Sequence, residues 1–277
     1  MLQSRPMIAR VRDLYRYREL VRNLILRDLK VRYRNSALGI LWAFGNPILM
    51  TIVFTTVFKV LLKSDIQKFP LFILIGWLSW TFTINAIEHS IVSVVQSSNL
   101  IKKIYFPREA LPTSTVLADA VNFALGLPLV AALMLYYHVN PAPLLYLYLP
   151  FIFVAHLALV LGLAYILAAL NVYYRDTAVI TNVLFTAWFF LSPVTYPMEY
   201  LPGEWNGIEI SRLMYILNPM ASIIEAYRNV LYGSVKGGPP GTPDFLFLGR
   251  TLLTAFIVLL IGYLFFLRLS KNFGEEL

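Results

Sequence analysis

Between Leu14 and Leu29 the apolar residues Leu14, Tyr17, Val21, Leu24, Ile25 and Leu29 recur at steps of three and four. Arg16, Glu19, Asn23, Arg27, Lys30 and Arg34 recur at the same steps on the other side. Such spacing gathers each set on one face of an α-helix. A helix with one apolar face and an Arg/Lys-rich opposite face lies in the plane of a membrane surface, its cations among the lipid phosphates. The pattern predicts this helix over 14–36. Asn35, Ser36 and Gly39 interrupt it, and Ile40 to Leu62 is apolar apart from Asn46, Thr51, Thr55, Thr56 and Lys59. At 1.5 Å per residue that run crosses about 30 Å of hydrocarbon. A surface helix therefore feeds into a first span, and a plain basic anchor beside the membrane accounts for the pattern equally well.

Five further apolar segments, 70–95, 111–137, 144–170, 178–197 and 250–269, bring the predicted spans to six. Composition agrees with a membrane location: of 277 residues 58% are apolar and 14% charged, with mean hydropathy +0.68. A soluble domain holds roughly 25% charged and 45–50% apolar residues. The expected fold class is an all-α membrane protein of six transmembrane helices, forming a single domain over 1–277. Six spans leave both termini on one side. If that side is the cytoplasm, 16 of the 23 Lys and Arg lie inside and 7 outside, so the positive-inside rule selects cytoplasmic termini. Net charge is +8, but cations placed at a membrane imply lipid headgroups and no nucleic acid. With no cysteine, neither a disulfide framework nor a thiolate metal site is available. The segment around Arg5, Arg10 and Arg12 lacks the apolar core and cleavage site of a secretory signal, so the first span is expected to be retained.

Several local features stand out along the chain. Trp77, Trp80 and Phe82 in the second span suit an aromatic belt or a ligand-lining surface. Glu88 and His89 fall near its inner end, where charged groups can snorkel. Asp119 and Asn122 interrupt the apolar third span; an acid inside the membrane is a functional candidate by default. The inside connection 97–108 is expected to hold a short helix capped by Ser98 or Asn99 and stopped by Pro107. Its Ile101, Ile104, Tyr105 and Phe106 suit a protein partner or a loop folded back on the headgroups. Arg175 and Asp176 are expected to pair at the turn after the fourth span. Ser192-Pro193 and Tyr196-Pro197 close the fifth. The stretch 198–233 is amphipathic and predicts two short helices hinged at Asn218-Pro219, a re-entrant or surface-lying external hairpin.

Some chemistries lack their residues. No G-x-x-x-x-G-K-[ST] is present to cradle ATP phosphates. His89, His138 and His156 stand apart with no H-E-x-x-H, and there is no G-x-S-x-G elbow. No catalytic residue, metal ligand or cofactor is therefore expected in this chain. A membrane enzyme acting on lipid-linked sugars would need acids grouped at one depth, and Glu88 and Asp119 are the clear intramembrane acids.

Five blocks in order carry a family resemblance: Arg27-Asp-Leu-Lys-Val-Arg-Tyr-Arg-Asn-Ser-Ala-Leu-Gly-Ile-Leu-Trp-Ala-Phe-Gly-Asn-Pro, Leu100-Ile-Lys-Lys-Ile-Tyr-Phe-Pro-Arg-Glu, Asn171-Val-Tyr-Tyr-Arg-Asp, Phe190-Leu-Ser-Pro-Val-Thr-Tyr-Pro, and Asn218-Pro-Met with Ile224-Glu-Ala-Tyr-Arg. Together they resemble the membrane subunit of type-2 ABC exporters for polysaccharides and polyol phosphates, the group of O-antigen, capsule and teichoic-acid exporters. The resemblance implies a plasma (inner) membrane permease that pairs with a second copy and with two separate ATPase subunits. ATP and magnesium would bind to those ATPases. It implies that 14–36 is an interface helix, whose Arg27, Lys30, Arg32 and Arg34 meet the diphosphate of a lipid-linked glycan. The coupling helix seated in the ATPase would comprise Asn99, Leu100, Ile101, Lys102, Lys103, Ile104, Tyr105, Phe106, Pro107 and Arg108. The segment 198–233 becomes external gate helices, and Trp42, Trp77, Trp80, Phe82, Tyr196, Asn218 and Tyr227 become tunnel or gate candidates. Rival readings are a type-2 ABC exporter of drugs or small lipids, a membrane enzyme on lipid-linked sugars, and a passive channel.

Overall fold

The computed structural model describes residues 16–34, 39–104, 106–201, 203–205 and 208–276. Among these the chain is all helix and connection, apart from a two-residue antiparallel contact of Glu204–Trp205 with Ile208–Glu209. Helix α1 (Arg18–Tyr33) follows the periodicity expected of it. Val21 and Leu24 are buried, and Tyr17, Ile25 and Leu29 are half-buried. Arg16, Glu19, Asn23, Arg27, Lys30 and Arg34 are exposed. Leu14, Asn35 and Ser36 lie outside the described residues.

Helix α2 (Trp42–Thr55) continues through a π-helical turn to Leu61. Helix α3 (Phe69–Gln96) starts on Pro70, whose missing N–H falls where no helical partner exists. The short α4 (Ser98–Lys103) leads to α5 (Ala110–Tyr136), α6 (Tyr148–Tyr173) and α7 (Thr177–Phe190). Next come α8 (Ile210–Leu217) and α9 (Pro219–Leu231), then α10 (Phe245–Leu269) and α11 (Phe273–Glu276). The side chain of Asn218 accepts from Met220 N at the start of α9, and Asp244 accepts from Leu246 N and Phe247 N at the start of α10. The expected hinge at Asn218-Pro219 is present.

Among the described residues five helical segments are long and apolar enough to cross a membrane: Trp42–Leu61, Phe69–Gln96, Ala110–Tyr136, Pro143–Tyr173 and Phe245–Asn272. The sixth expected span, 178–197, is shorter than expected. Its helix α7 has 14 residues, about 21 Å, and gives way to turns at Leu191–Tyr196. Pro193 explains the stop, since its ring clashes with a preceding helical turn and it donates no hydrogen bond.

Helix α3 is the hub, packed against α2, α5, α6, α7 and α9. Its most apolar stretch is 72% buried within the chain, against 11% for α2, so α2 lies at the edge of the bundle. Helices α6 and α10 cross at Gly162 and Gly262, where a Cβ on Gly162 would come 2.6 Å from the Val258 carbonyl. Small residues let two membrane helices approach this closely, which helps because lipid leaves little hydrophobic drive for helices to associate. A second apolar core lies at the cytoplasm-assigned end, where Val21 and Leu24 of α1 meet Val94, Phe106, Leu111, Tyr165, Phe266 and Phe273.

Candidate functional site

Where α1 meets α3 and α5, its exposed cationic pattern is broken by Arg32, which turns inward. Arg32 donates from Nη1 to Asp119 Oδ1 at 2.5 Å and from Nη2 to Asp119 Oδ2 at 3.2 Å, a two-pronged pair. His89 Nδ1 lies 2.9 Å from Asp119 Oδ2 and 3.1 Å from Arg32 Nη2. The Asp119 side chain is 2% exposed. A buried carboxylate is strongly unfavourable alone, and the paired guanidinium offsets that. Arg32 was expected to meet a lipid diphosphate; instead its charge is neutralised within the chain. The residue that sequence reasoning left unassigned is Asp119. Its signal was a lone acid in an apolar run, whereas its partner is 87 positions away.

Above this pair opens a cavity of about 300 Å³, bounded by α2, α3 and α5. Its walls include Trp42, Trp77, Phe82 and Phe123, with Asn46, Asn85 and Asn122 among them. Three of the aromatic tunnel candidates, Trp42, Trp77 and Phe82, thus come together with Arg32. Trp80 does not: it is buried, with its ring centroid 5.5 Å from both Trp188 and Phe189. On the opposite face of α1 an open groove runs past Arg27, Lys30 and Arg34, with Leu26 and Val31 exposed between the cations. Arg27 also donates to Asp28 at 3.0 Å, an exposed contact that leaves its charge available to a ligand.

The inner connection differs in detail from the expected coupling helix 97–108. Ser97 is its N-cap residue, and the helix ends at Lys103, before Pro107. Ile104 is already extended, so Pro107 acts on a chain that has left the helix. Asn99, Lys102, Lys103 and Ile104 are exposed, whereas Leu100 and Ile101 are half-buried against the inner core. Phe106 is 7% exposed and belongs to that core, so it is not free for a partner. Arg108 donates to the Ser270 carbonyl and lies 5.9 Å from the Phe273 ring, tying this connection to the C-terminal helices. Tyr105 lies outside the described residues. Arg175 and Asp176 are both exposed and, contrary to expectation, do not form an ion pair.

The hairpin α8–α9 holds the carbonyls left over where α7 stops. Asn218 Nδ2 donates to Leu191 O at 3.0 Å and to Ser192 Oγ at 2.9 Å. Arg228, 1% exposed, donates to Pro193 O at 2.5 Å and to Val194 O at 2.7 Å, with its guanidinium 3.5 Å from the Phe72 ring. Gly76 makes room for it, since a Cβ there would meet Arg228 Nη2 at 2.6 Å. Asn218 was a gate candidate; its geometry is that of a bracket, completed by Trp188 Nε1 donating to its Oδ1. Tyr196 donates its hydroxyl to Phe190 O at 3.0 Å. Tyr227 is buried, 5.9 Å from Phe123 and 6.0 Å from His156 between ring centroids. It therefore stands behind the wall of the cavity bounded by α2, α3 and α5 and lines instead a second, apolar one with Val130, Met134 and Leu149.

Residues 19–232 match the sequence profile described as ABC-2 type transporter. The O-antigen export system permease protein RfbA of Myxococcus xanthus is 38% identical over 226 residues, covering 82% of this chain and 85% of its own. Two RfbA permeases of Klebsiella pneumoniae are each 26% identical over 251 residues, covering 91% of this chain and 92% of theirs. The match begins within α1 and ends just past α9, so it takes in most of α1, the 97–108 connection and the bracketed hairpin. The chain belongs to the ABC-2 type transporter family.

Proposed function

We propose that this protein is the permease subunit of an ATP-driven exporter that carries a lipid-linked polysaccharide from the cytoplasm across the plasma membrane. The observation that carries the reading is the agreement with O-antigen export permeases over most of both chains. The geometry supports it too, with a cationic groove on α1 beside an aromatic-walled polar cavity. The exposed Arg27, Lys30 and Arg34 attract the anionic diphosphate of the carrier lipid, each adding up to about 1 kcal/mol at low salt. Arg32 is left out of that set by its pair with Asp119.

A second copy of the chain completes the path, because one bundle packed around α3 leaves no room for a polymer. Two separate ATPases, which hold ATP and magnesium, dock beneath. They bear on Asn99, Lys102, Lys103 and Ile104, and motion passes through Phe106 and Arg108 into α1, α10 and α11. Both termini are cytoplasmic. The hairpin α8–α9 enters the outer half of the membrane, where its Asn218 and Arg228 satisfy carbonyls that lipid could not.

The test is to delete the gene in the source organism and to co-express the chain with its ATPase. Loss of surface polysaccharide, with lipid-linked polymer accumulating inside, is expected, together with a purified complex whose ATP hydrolysis rises with that polymer. Normal surface polysaccharide and stimulation by drugs or small lipids instead would move the protein to the small-molecule branch of the family.

A further inference from the structure

The cavity above Asp119 contains two amides that the fold does not use. Asn46 and Asn85 are both exposed, both line the cavity, and neither makes a hydrogen bond among the described residues. Asn85 sits roughly 16 Å along α3 from its inner end, close to mid-membrane. A bare amide at that depth costs several kcal/mol unless a polar group meets it. The cavity's charge, meanwhile, is already balanced, because Arg32 is bound two-pronged by Asp119. Much of its remaining wall is aromatic, with Trp42 47% exposed and Trp77, Phe82 and Phe123 beside it, among smaller residues such as Ala43, Leu78 and Thr81. A volume of about 300 Å³ is at the lower end of the range that ligand sites occupy.

We infer that this cavity is a subsite for a single neutral sugar unit of the exported glycan, distinct from the place where the carrier's diphosphate binds. The ring's C–H face packs on Trp42 and its hydroxyls bond to the side chains of Asn46 and Asn85. The phosphates stay outside on Arg27, Lys30 and Arg34, which are exposed and of which, among the described residues, only Arg27 has an ion-pair partner, the half-buried Asp28. Helix α1 thus separates two chemistries, anion on its exposed face and polyol behind Arg32. This assignment rests on the polysaccharide reading above and specifies which part of the substrate each face of α1 takes.

The chain lacks cysteine, so single-cysteine variants can each carry one photoreactive benzophenone. Asn46→Cys, Asn85→Cys and Lys30→Cys, with Leu253→Cys on the bare face of α10 as control, are assembled with the ATPase in nanodiscs. Each is illuminated with lipid-linked polysaccharide from the source cells, or with bare polyprenyl diphosphate. Labels at 46 and 85 should capture the glycolipid alone, the label at 30 should capture both probes, and the control neither. In addition, Asn46→Leu with Asn85→Leu, changes that a membrane interior tolerates, should raise the glycolipid concentration for half-maximal ATPase stimulation about tenfold. Capture of bare diphosphate at 85, or capture at 30 but not at 46 and 85, overturns the sugar subsite while leaving the exporter reading intact. Capture nowhere, in cells whose surface polysaccharide survives deletion of the gene, overturns both.

Discussion

Asp119 illustrates how a buried charge is tolerated in an apolar bundle. It is accompanied by Arg32 and His89, and the three groups come from three different helices. Removing one member of such a pair leaves the other charge uncompensated, which typically costs more than the pair contributes. Asp119→Ala is therefore expected to destabilise the protein by on the order of 3 kcal/mol. Arg32→Met combined with Asp119→Leu should lose clearly less than the sum of the two single changes. Unfolding of the three variants in one fixed detergent, read as a double-mutant cycle, checks this. Strict additivity would mean that the pair does not hold α1 to α5.

At the scale of elements, the inner connection has two kinds of residue that look alike in sequence. Ile104 is 58% exposed and Phe106 is 7% exposed, two positions apart. Phe106 packs with Val94, Leu111 and Phe273, so Phe106→Ala empties part of a core and should cost about 3 kcal/mol or more of stability. Ile104→Ala touches no core. It should leave the unfolding midpoint within error yet lower ATP hydrolysis stimulated by substrate, if the face proposed to meet the ATPase does so. Unfolding curves alongside stimulated ATPase rates separate the two effects. Equal loss of stability in both variants would count against the exposed docking face.

At the scale of the whole molecule, α7 decides the crossing number. At about 21 Å the helix alone falls short of a 30 Å core. The last helical hydrogen bond runs from Leu191 N to Ala187 O; turns extend the segment to Val194, and Asn218 and Arg228 take up the carbonyls of Leu191, Pro193 and Val194. Six crossings, as proposed above, require this segment to reach the far side. Arg175→Cys and Lys236→Cys, both exposed and flanking α7, should then react with a membrane-impermeant maleimide from opposite sides of intact spheroplasts. Labelling of both from one side would mean five crossings and termini on opposite faces.

Periodicity alone determined a good deal of this protein. The apolar and cationic faces of α1, the positions of the long spans, and the hinge at Asn218-Pro219 follow from side-chain spacing and from proline's missing donor, both local properties. The family was legible too, because its five blocks are contiguous runs. What only the tertiary structure decided is which residues of one type do different work. Arg32 and Arg34 read alike along α1, but Arg32 meets Asp119 and Arg34 stays exposed. Trp77 and Trp80 share a span, but Trp77 reaches the cavity and Trp80 packs on Trp188. Arg228, two turns into an amphipathic helix, is buried because it meets carbonyls some 35 positions back. Spans that are apolar all round carry no periodic mark of which side faces protein, lipid or cavity. That choice is made by neighbours distant in the chain, through packing and pairing that no local pattern encodes.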